Sequence, residues 1–521
     1  VTALVVATGL AVHRLFREAA GPQGDKLCPP LEPSESAPLP PLDAESTQPY
    51  GTLRWQQQGG TLDDASCVDR TSVYGVVAVQ TEDDVREALL FARERGLQVS
   101  LAGVRHSMGG QAFARGNLVL DVRGLNAITV HSAERRVTVG AGVTWHDLQL
   151  KLHPLLAVKA MQSTDIFTVG GSISVNAHGM DHQAGALERS IRQLRVMLPD
   201  GTVRTISRTQ DADLYRHVVG GYGLFGIILE AELDVAENVI YQSQRHRLPT
   251  RDFPRFFAED IAPRRDIGLM YAHLSTARQN LLEEALVYTY EWARPASPSA
   301  PPLQDVGSVA LRRLTVNLAK RGWAWQQIKW WSELYLEPTL ESCTVSRQGA
   351  QRSGEACLVA RNEPMHDSVP YLKNPLTNET DILHEYFLPR AQLLPFLEAL
   401  RRLTLAQTEL SLLNASVRVV DREDIALSYA PAEAFSVVLY VNQPTTPAGH
   451  EAMRAYTQAL IDVTTKLGGR FFLPYQRHYT ATQLRAAYPE IDAFFAAKRR
   501  LDPDDLLTNT WYRTYAPPQA G

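Results

Sequence analysis

The stretch that most constrains the fold is residues 101–121, LAGVRHSMGGQAFARGNLVLD, a glycine-punctuated loop that runs into a strand-like LVLD. Gly103, Gly109 and Gly110 allow a close backbone approach that side chains would forbid, so the loop can press its amides against a bulky anion. His106 sits inside it, between Arg105 and Ser107. Alone, an HSxGG loop reads equally well as a surface turn.

The flanking residues decide its setting. Residues 73–79 are β-branched and strand-like, and Thr81 is a good N-cap for the amphipathic EDDVREALLFARERG, which closes on Gly96. LQVSLAG then leads into the loop, so strand, helix, strand and glycine loop form a compact α/β unit. RRVTVGAGVTWHDLQLKL predicts a strand, a turn and a helix begun near Thr144. A second run of small residues, Gly170 through Ser174 to Gly179 in GGSISVNAHG, again lets backbone approach something extended. LRVMLPDGTVRTI is a hairpin turning at Asp200 and Gly201, and the strand LEAELDV closes this half near Val235.

From about 240 to 469 the character changes. Aromatic, Arg-rich helices over 314–334, carrying Trp323, Trp325, Trp330 and Trp331, alternate with the strands DILHEYFLP, NASVRVVDRED and SVVLYVNQ. The helices PRAQLLPFLEALRRL and AGHEAMRAYTQALIDVTTKLG each follow a strand, which predicts a second, α+β domain on an antiparallel sheet. At 521 residues the chain is too long for one ordinary core. The expected division is an apolar segment and Pro-rich tether at 1–49, a first domain at 50–237, a second at 238–469, and a tail at 470–521 that returns to the first.

A formal net charge of −5 leaves no basic field for phosphates, so a nucleic-acid partner is not expected. Cys28, Cys67, Cys343 and Cys357 are too few for a disulfide scaffold and lack CxxC spacing, although Cys343 and Cys357 can pair across a short loop in an oxidising compartment. The opening VTALVVATGLAV is too short to span a bilayer, and the Pro-, Ser- and Glu-rich stretch to about 49 reads as a tether. The chain opens on Val, so an anchor or signal that has lost its beginning is expected. That places the body at a membrane or outside the cytoplasm, with an unstructured cytoplasmic extension as the alternative.

Gly221, Gly223 and Gly226 in GGYGLFGIILEAEL fit GxGxxG, but a dinucleotide fingerprint needs its third glycine at a helix start. Here the glycines run into an alternating strand, which excludes a Rossmann nicotinamide site. HExxH, P-loop and GxSxG are absent and the histidines show no metal-ligand spacing, so neither a metal site nor a triad hydrolase is expected.

Four segments in order carry a resemblance: VRHSMGGQ after a strand, GGSISVNAHG, GGYGLFGIILEAEL and KRRLDPDDLLTNTWY. Together they resemble the flavin-binding domain of the vanillyl-alcohol oxidase and p-cresol methylhydroxylase (PCMH) family. The HSxxGQ loop is similar to sugar-lactone, alditol and cytokinin oxidoreductases, and HGMDHQAG with KRRLDP is similar to decaprenylphosphoryl ribose oxidase. The resemblance implies a PCMH-type, two-subdomain FAD-binding domain under a cap domain whose antiparallel sheet is flanked by helices. It implies FAD held by Gly103, Val104, Arg105, His106, Ser107, Met108, Gly109, Gly110 and Gln111, and by Gln162, Asp165, Gly170, Gly171, Ser172, Ser174, Val175, Asn176, His178 and Gly179. Ile227 and Asn509 complete that set. In many relatives the histidine of the HS loop is joined to the flavin 8α carbon. Residues 161–165 contain no second linking cysteine, so one covalent link through His106 is expected.

By the same resemblance, a substrate C–H gives a hydride to flavin N5 while its hydroxyl proton goes to a base. The candidates are Tyr475, Arg477 and His478 in FFLPYQRHY, with Asn414, Arg418 and Glu385 from strands; His178 and His182 lie near the expected site. Tyr475 stands where decaprenylphosphoryl ribose oxidase has a functional lysine, which points away from that substrate. The expected activity is FAD-dependent oxidation of a sugar, alditol or lactone alcohol, with oxygen, a quinone or a cytochrome taking the electrons. The rivals are C–N oxidation in the manner of cytokinin dehydrogenase and an inactive binding protein that kept the fold.

Overall fold

The computed structural model describes residues 53–518 apart from 294–299, 301, 304, 306–308, 336–357, 370–371, 373, 375 and 377. The apolar N-terminal run, Cys28, Cys343 and Cys357 lie outside the described residues, while Cys67 is disulfide-bonded. No helix among the described residues is long and apolar enough to cross a membrane.

The first sheet has four strands in the order Arg54–Gln58, Gly75–Ala78, Leu118–Asp121, Val99–Ala102, the last three mutually parallel. Its crossover is the helix Glu82–Glu94, where Thr81 and Asp84 form a reciprocal capping box that satisfies amides the helix itself leaves unpaired. That helix buries Val85, Leu89 and Phe91 against Val77, Leu118 and Leu120. Leu506 and Leu507 from the tail complete the cluster, and Ser100 Oγ donates to the Thr508 carbonyl at 2.7 Å. The chain's end is thereby bound to its first folded unit.

A second sheet is antiparallel, with Val203–Ile206, Ile191–Met197, Ile227–Glu237, Arg136–Gly140 and Ile128–His131 in that order, and Leu156–Val158 pairing the far end of the long strand. Gly201 makes the hairpin turn at φ +85°, beside Asp200, whose carboxylate accepts the Thr202 amide. Gly226, at φ +151°, opens the strand Ile227–Glu237 and no helix, so the GxGxxG spacing here is a strand entrance.

The third sheet holds eight strands: Leu358–Ala360, Ile240–Pro249, Glu284–Trp292, Ile267–Leu274, Ser411–Val420, Ala434–Pro444, Glu379–Pro389 and Arg470–Phe471. All its pairings are antiparallel. Helices Leu393–Ala406 and Pro447–Lys466 cover one face, with Phe396 against Tyr386 at 5.4 Å between ring centres. The aromatic, Arg-rich helices expected over 314–334 are Val309–Ala319 and Trp323–Tyr335. Gly322, at φ +130°, lies between them in a conformation no helix continues through.

Candidate flavin site

The other face of the eight-stranded sheet, packed in part by helix Val309–Ala319, looks toward the glycine loops across a cavity of about 1170 Å³. Strand side chains alternate between faces, so each strand contributes every second residue: Leu383 and Glu385, Asn414 with Ser416 and Arg418, Tyr271 and His273, Tyr288 and Tyr290. Register then sets the rows, Glu385 opposite Val438 and Val438 opposite Ser416. Val104, Arg105, His106, Met108, Gln162, Phe167 and His178 form the opposite wall.

That wall is shaped by glycine, though chiefly through contact of the protein with itself. A Cβ at Gly103 would stand 2.3 Å from Thr168 Oγ1, at Gly170 2.7 Å from the Ala141 Cβ, and at Gly179 1.8 Å from the Met161 carbonyl oxygen. The small residues therefore press the two loop segments together. Gly171 differs: it is exposed within an otherwise buried turn of helix, with Thr168 Oγ1 as its one near neighbour at 2.9 Å. Ser172 Oγ donates to the Thr168 carbonyl and accepts from Trp145 Nε1 at 2.8 Å, and Ser174 Oγ donates to the Gly170 carbonyl.

The amides of Gly109 and Gly110 donate to Asp64 Oδ2 at 2.8 and 2.6 Å, which corrects the expectation that they hold a pyrophosphate. An acid from the N-terminal hairpin supplies the anion at that point. Gln111 closes the loop by donating to the Ser107 and Pro474 carbonyls, joining the HS segment to the segment that carries Tyr475. His106 packs edge-on against Phe167 at 5.5 Å, and burial holds its imidazole below the ordinary range, hence neutral at pH 7.

Across the cavity, Glu385 accepts from His178 Nε2 at 2.6 Å and from Ser436 Oγ. His178 Nδ1 is buried without a hydrogen-bond partner among the described residues. Desolvation, with the Glu385 charge nearby, pushes the phenol of the half-buried Tyr475 far above the ordinary tyrosine range. Arg418 lies 4.8 Å over the Tyr271 ring, half-buried, with Nη1 buried and unpartnered among the described residues. Asn414 lines the cavity from the same strand.

Other expected site residues are spent elsewhere. Arg477 pairs with Asp69 at 3.0 Å, and His478 packs against His450 at 5.0 Å with its imidazole pushed down to about 2 by burial and nearby cations. Neither lines the cavity, because the chain past Tyr475 turns toward the tail. Asp165 is wholly buried, taking His146 Nδ1 and His366 Nδ1 at 3.0 Å and Ser368 Oγ at 2.6 Å, so its carboxylate fastens a cap loop and has no surface toward the cavity. Asn176 holds the buried Glu423 at 2.7 Å, Asn509 caps the helix Thr510–Tyr515, and Ile227 is core. Ser107 and Val175 border the loops without lining the cavity, and His182 is buried against Phe257. Sequence reasoning missed Phe167, Tyr271, Tyr288 and the pairing of His178 with Glu385, for which no local motif exists.

The residues present fit FAD. The cavity has room for a ring system and a substrate together, and Gln162 Oε1, Thr164 Oγ1 and His178 Nδ1 are buried polar atoms on one wall with no protein partner among the described residues.

Comparison with known proteins agrees. Residues 73–207 match the FAD binding domain family, and residues 340–515 match the D-arabinono-1,4-lactone oxidase family. Decaprenylphosphoryl-beta-D-ribose oxidase of Mycolicibacterium smegmatis is 36% identical over 155 residues, covering 29% of this chain and 34% of that protein. Cytokinin dehydrogenase 2 of Arabidopsis thaliana is 29% identical over 205 residues, 38% of this chain and 40% of its own. L-gulonolactone oxidase of Mus musculus is 31% identical over 152 residues, 29% and 34% of the respective chains. The matched stretch thus spans between a third and two fifths of these relatives' length. One family match lies on each side of the cavity, and residues 73–207 are similar to an FAD-binding domain of the PCMH type.

Proposed function

We propose that this chain oxidises the CH–OH group of a sugar, alditol or lactone alcohol in the cavity between its FAD domain and its cap. The observation that carries this reading is the pair His178 and Glu385, buried, 2.6 Å apart and opening on the cavity. Bound FAD supplies an acceptor for hydride.

The chain's own residues handle the proton and the charge. Glu385 accepts from His178 Nε2, which fixes the ring's orientation and, in the neutral ring, leaves the lone pair on Nδ1. A substrate hydroxyl can deliver its proton to that Nδ1 as the C–H bond breaks. Tyr475 keeps its proton at neutral pH, so it serves as a hydrogen-bond donor to the substrate oxygen and not as the base. Arg418 brings a positive charge to the same cavity, where a low dielectric strengthens its pull on a developing alkoxide. Tyr271, Tyr288 and Tyr290 give an amphipathic wall suited to a polyhydroxylated ring. The lactone oxidase match over the cap supports the substrate class. His106, neutral and half-buried in the facing wall, has the nucleophilic lone pair that a covalent flavin link requires.

The test is anaerobic. Bleaching of bound flavin near 450 nm is followed with a panel of alditols, aldonolactones and secondary amines. Bleaching by members of the first two classes and not the third supports the reading; bleaching by amines alone overturns it.

A further inference from the structure

The cap loop that crosses onto the FAD domain carries His366, and beneath it His146 projects from the helix Trp145–Leu152. Their rings are stacked, 4.6 Å between centres and 17° from parallel. Both Nδ1 atoms meet Asp165 Oδ2 at 3.0 Å, and His366 Nδ1 also meets Gln149 Oε1 at 2.9 Å. Carboxylate and amide oxygens only accept, so both rings donate from Nδ1, and in the neutral form each Nε2 carries a lone pair. The Asp305 carboxylate, from a separate stretch of the cap, reaches within 3.8 Å of His366 Nε2. Donor atoms of His146, His366 and Asp305 all lie within 4.8 Å of one another.

A divalent cation between the three side chains would take one ligand atom from each. A histidine that gives Nδ1–H to a buried carboxylate and offers Nε2 outward is the arrangement that orients metal ligands. Tetrahedral zinc bonds of roughly 2.0 to 2.1 Å put donor atoms roughly 3.4 Å apart. The donors now lie within 4.8 Å of one another, so binding draws them closer.

We propose that His146, His366 and Asp305 form a divalent transition-metal site, with zinc the ion that two imidazoles and one carboxylate suit best. The ion ties the cap to the FAD domain at the cavity rim, where Asp305 and His366 both face the cavity. Water completes the coordination. The ligands come from three segments far apart in sequence, so no metal motif announces them.

The experiment uses full-length protein freed of any affinity tag, stripped with EDTA, dialysed and titrated with zinc chloride against a chromogenic chelator. Bound metal is counted by mass spectrometry. Asp305→Ala removes an exposed ligand that holds no core, and His146→Gln removes a second. The expected result is one equivalent of zinc per wild-type chain, a higher Tm with zinc, and affinity at least tenfold weaker in each variant. Less than one equivalent in wild type, or affinity in either variant within tenfold of wild type, overturns the site. The readout is independent of flavin content and turnover.

Discussion

The two walls of the cavity are built on opposite principles. On the FAD-domain side, Gly103, Gly170 and Gly179 fit because almost nothing else does, with a Cβ meeting neighbouring atoms at 2.3, 2.7 and 1.8 Å. On the cap side, Glu385, Asn414, Ser416 and Arg418 hang from paired strands whose backbone would accept many other residues. A wall made of backbone tolerates little change but holds a shape. A wall made of side chains on a sheet can change its chemistry while the fold stays.

The largest contrast is in mutational tolerance. Gly179→Ala drives a methyl into the Met161 carbonyl and should cost about 4 kcal/mol or more, with loss of flavin. Ser416→Ala on the facing wall should cost under about 1 kcal/mol and keep the flavin. Urea unfolding midpoints with flavin content per chain check both, and equal costs would break the contrast.

The next test lies in the loop itself. His106→Ala should leave a folded protein whose yellow colour enters the supernatant on acid precipitation, whereas wild-type colour should stay with the pellet. Colour that remains in the variant's pellet removes His106 from the link.

A smaller effect is on stability against pH. Burial depresses three histidines of the eight-stranded sheet and the tail, His273 to about 3, His384 to about 4 and His478 to about 2, from an ordinary 6.5. A depressed folded-state pKa means the unfolded chain takes up the proton first. The stability these groups contribute is therefore full above pH 6.5 and falls as pH drops toward those values. At pH 5 the loss is about 2 kcal/mol per histidine. Unfolding midpoints at pH 7 and pH 5 should differ in that direction, and His384→Gln should shrink the difference.

How much of this was readable from the residues follows the same division. The Thr81 cap, the Asp200–Gly201 turn and the strand after Gly226 are local, since each depends on a few neighbours in sequence, and the structure shows them where the sequence puts them. The glycine segments were legible as places of close approach. What they approach was not, because Thr168, Ala141 and Asp64 are brought to them only by the fold. Glu385, Asn414 and Arg418 reach the cavity because alternation along strands is a local property. Arg477 and His478 do not, because the path of the chain after Tyr475 is set by the tail's packing on the first sheet. His178 with Glu385, and His146 with His366 on Asp165, join segments some 200 residues apart, beyond the reach of any spacing rule.

The central claim is that the His178 and Glu385 pair takes the proton while flavin is reduced. Single-turnover reduction under nitrogen compares wild type with Glu385→Gln, matched for bound flavin by absorbance. The account predicts flavin content unchanged and bleaching slowed by roughly 100-fold or more, the usual scale for losing general-base catalysis. Bleaching at the wild-type rate in the variant would contradict it.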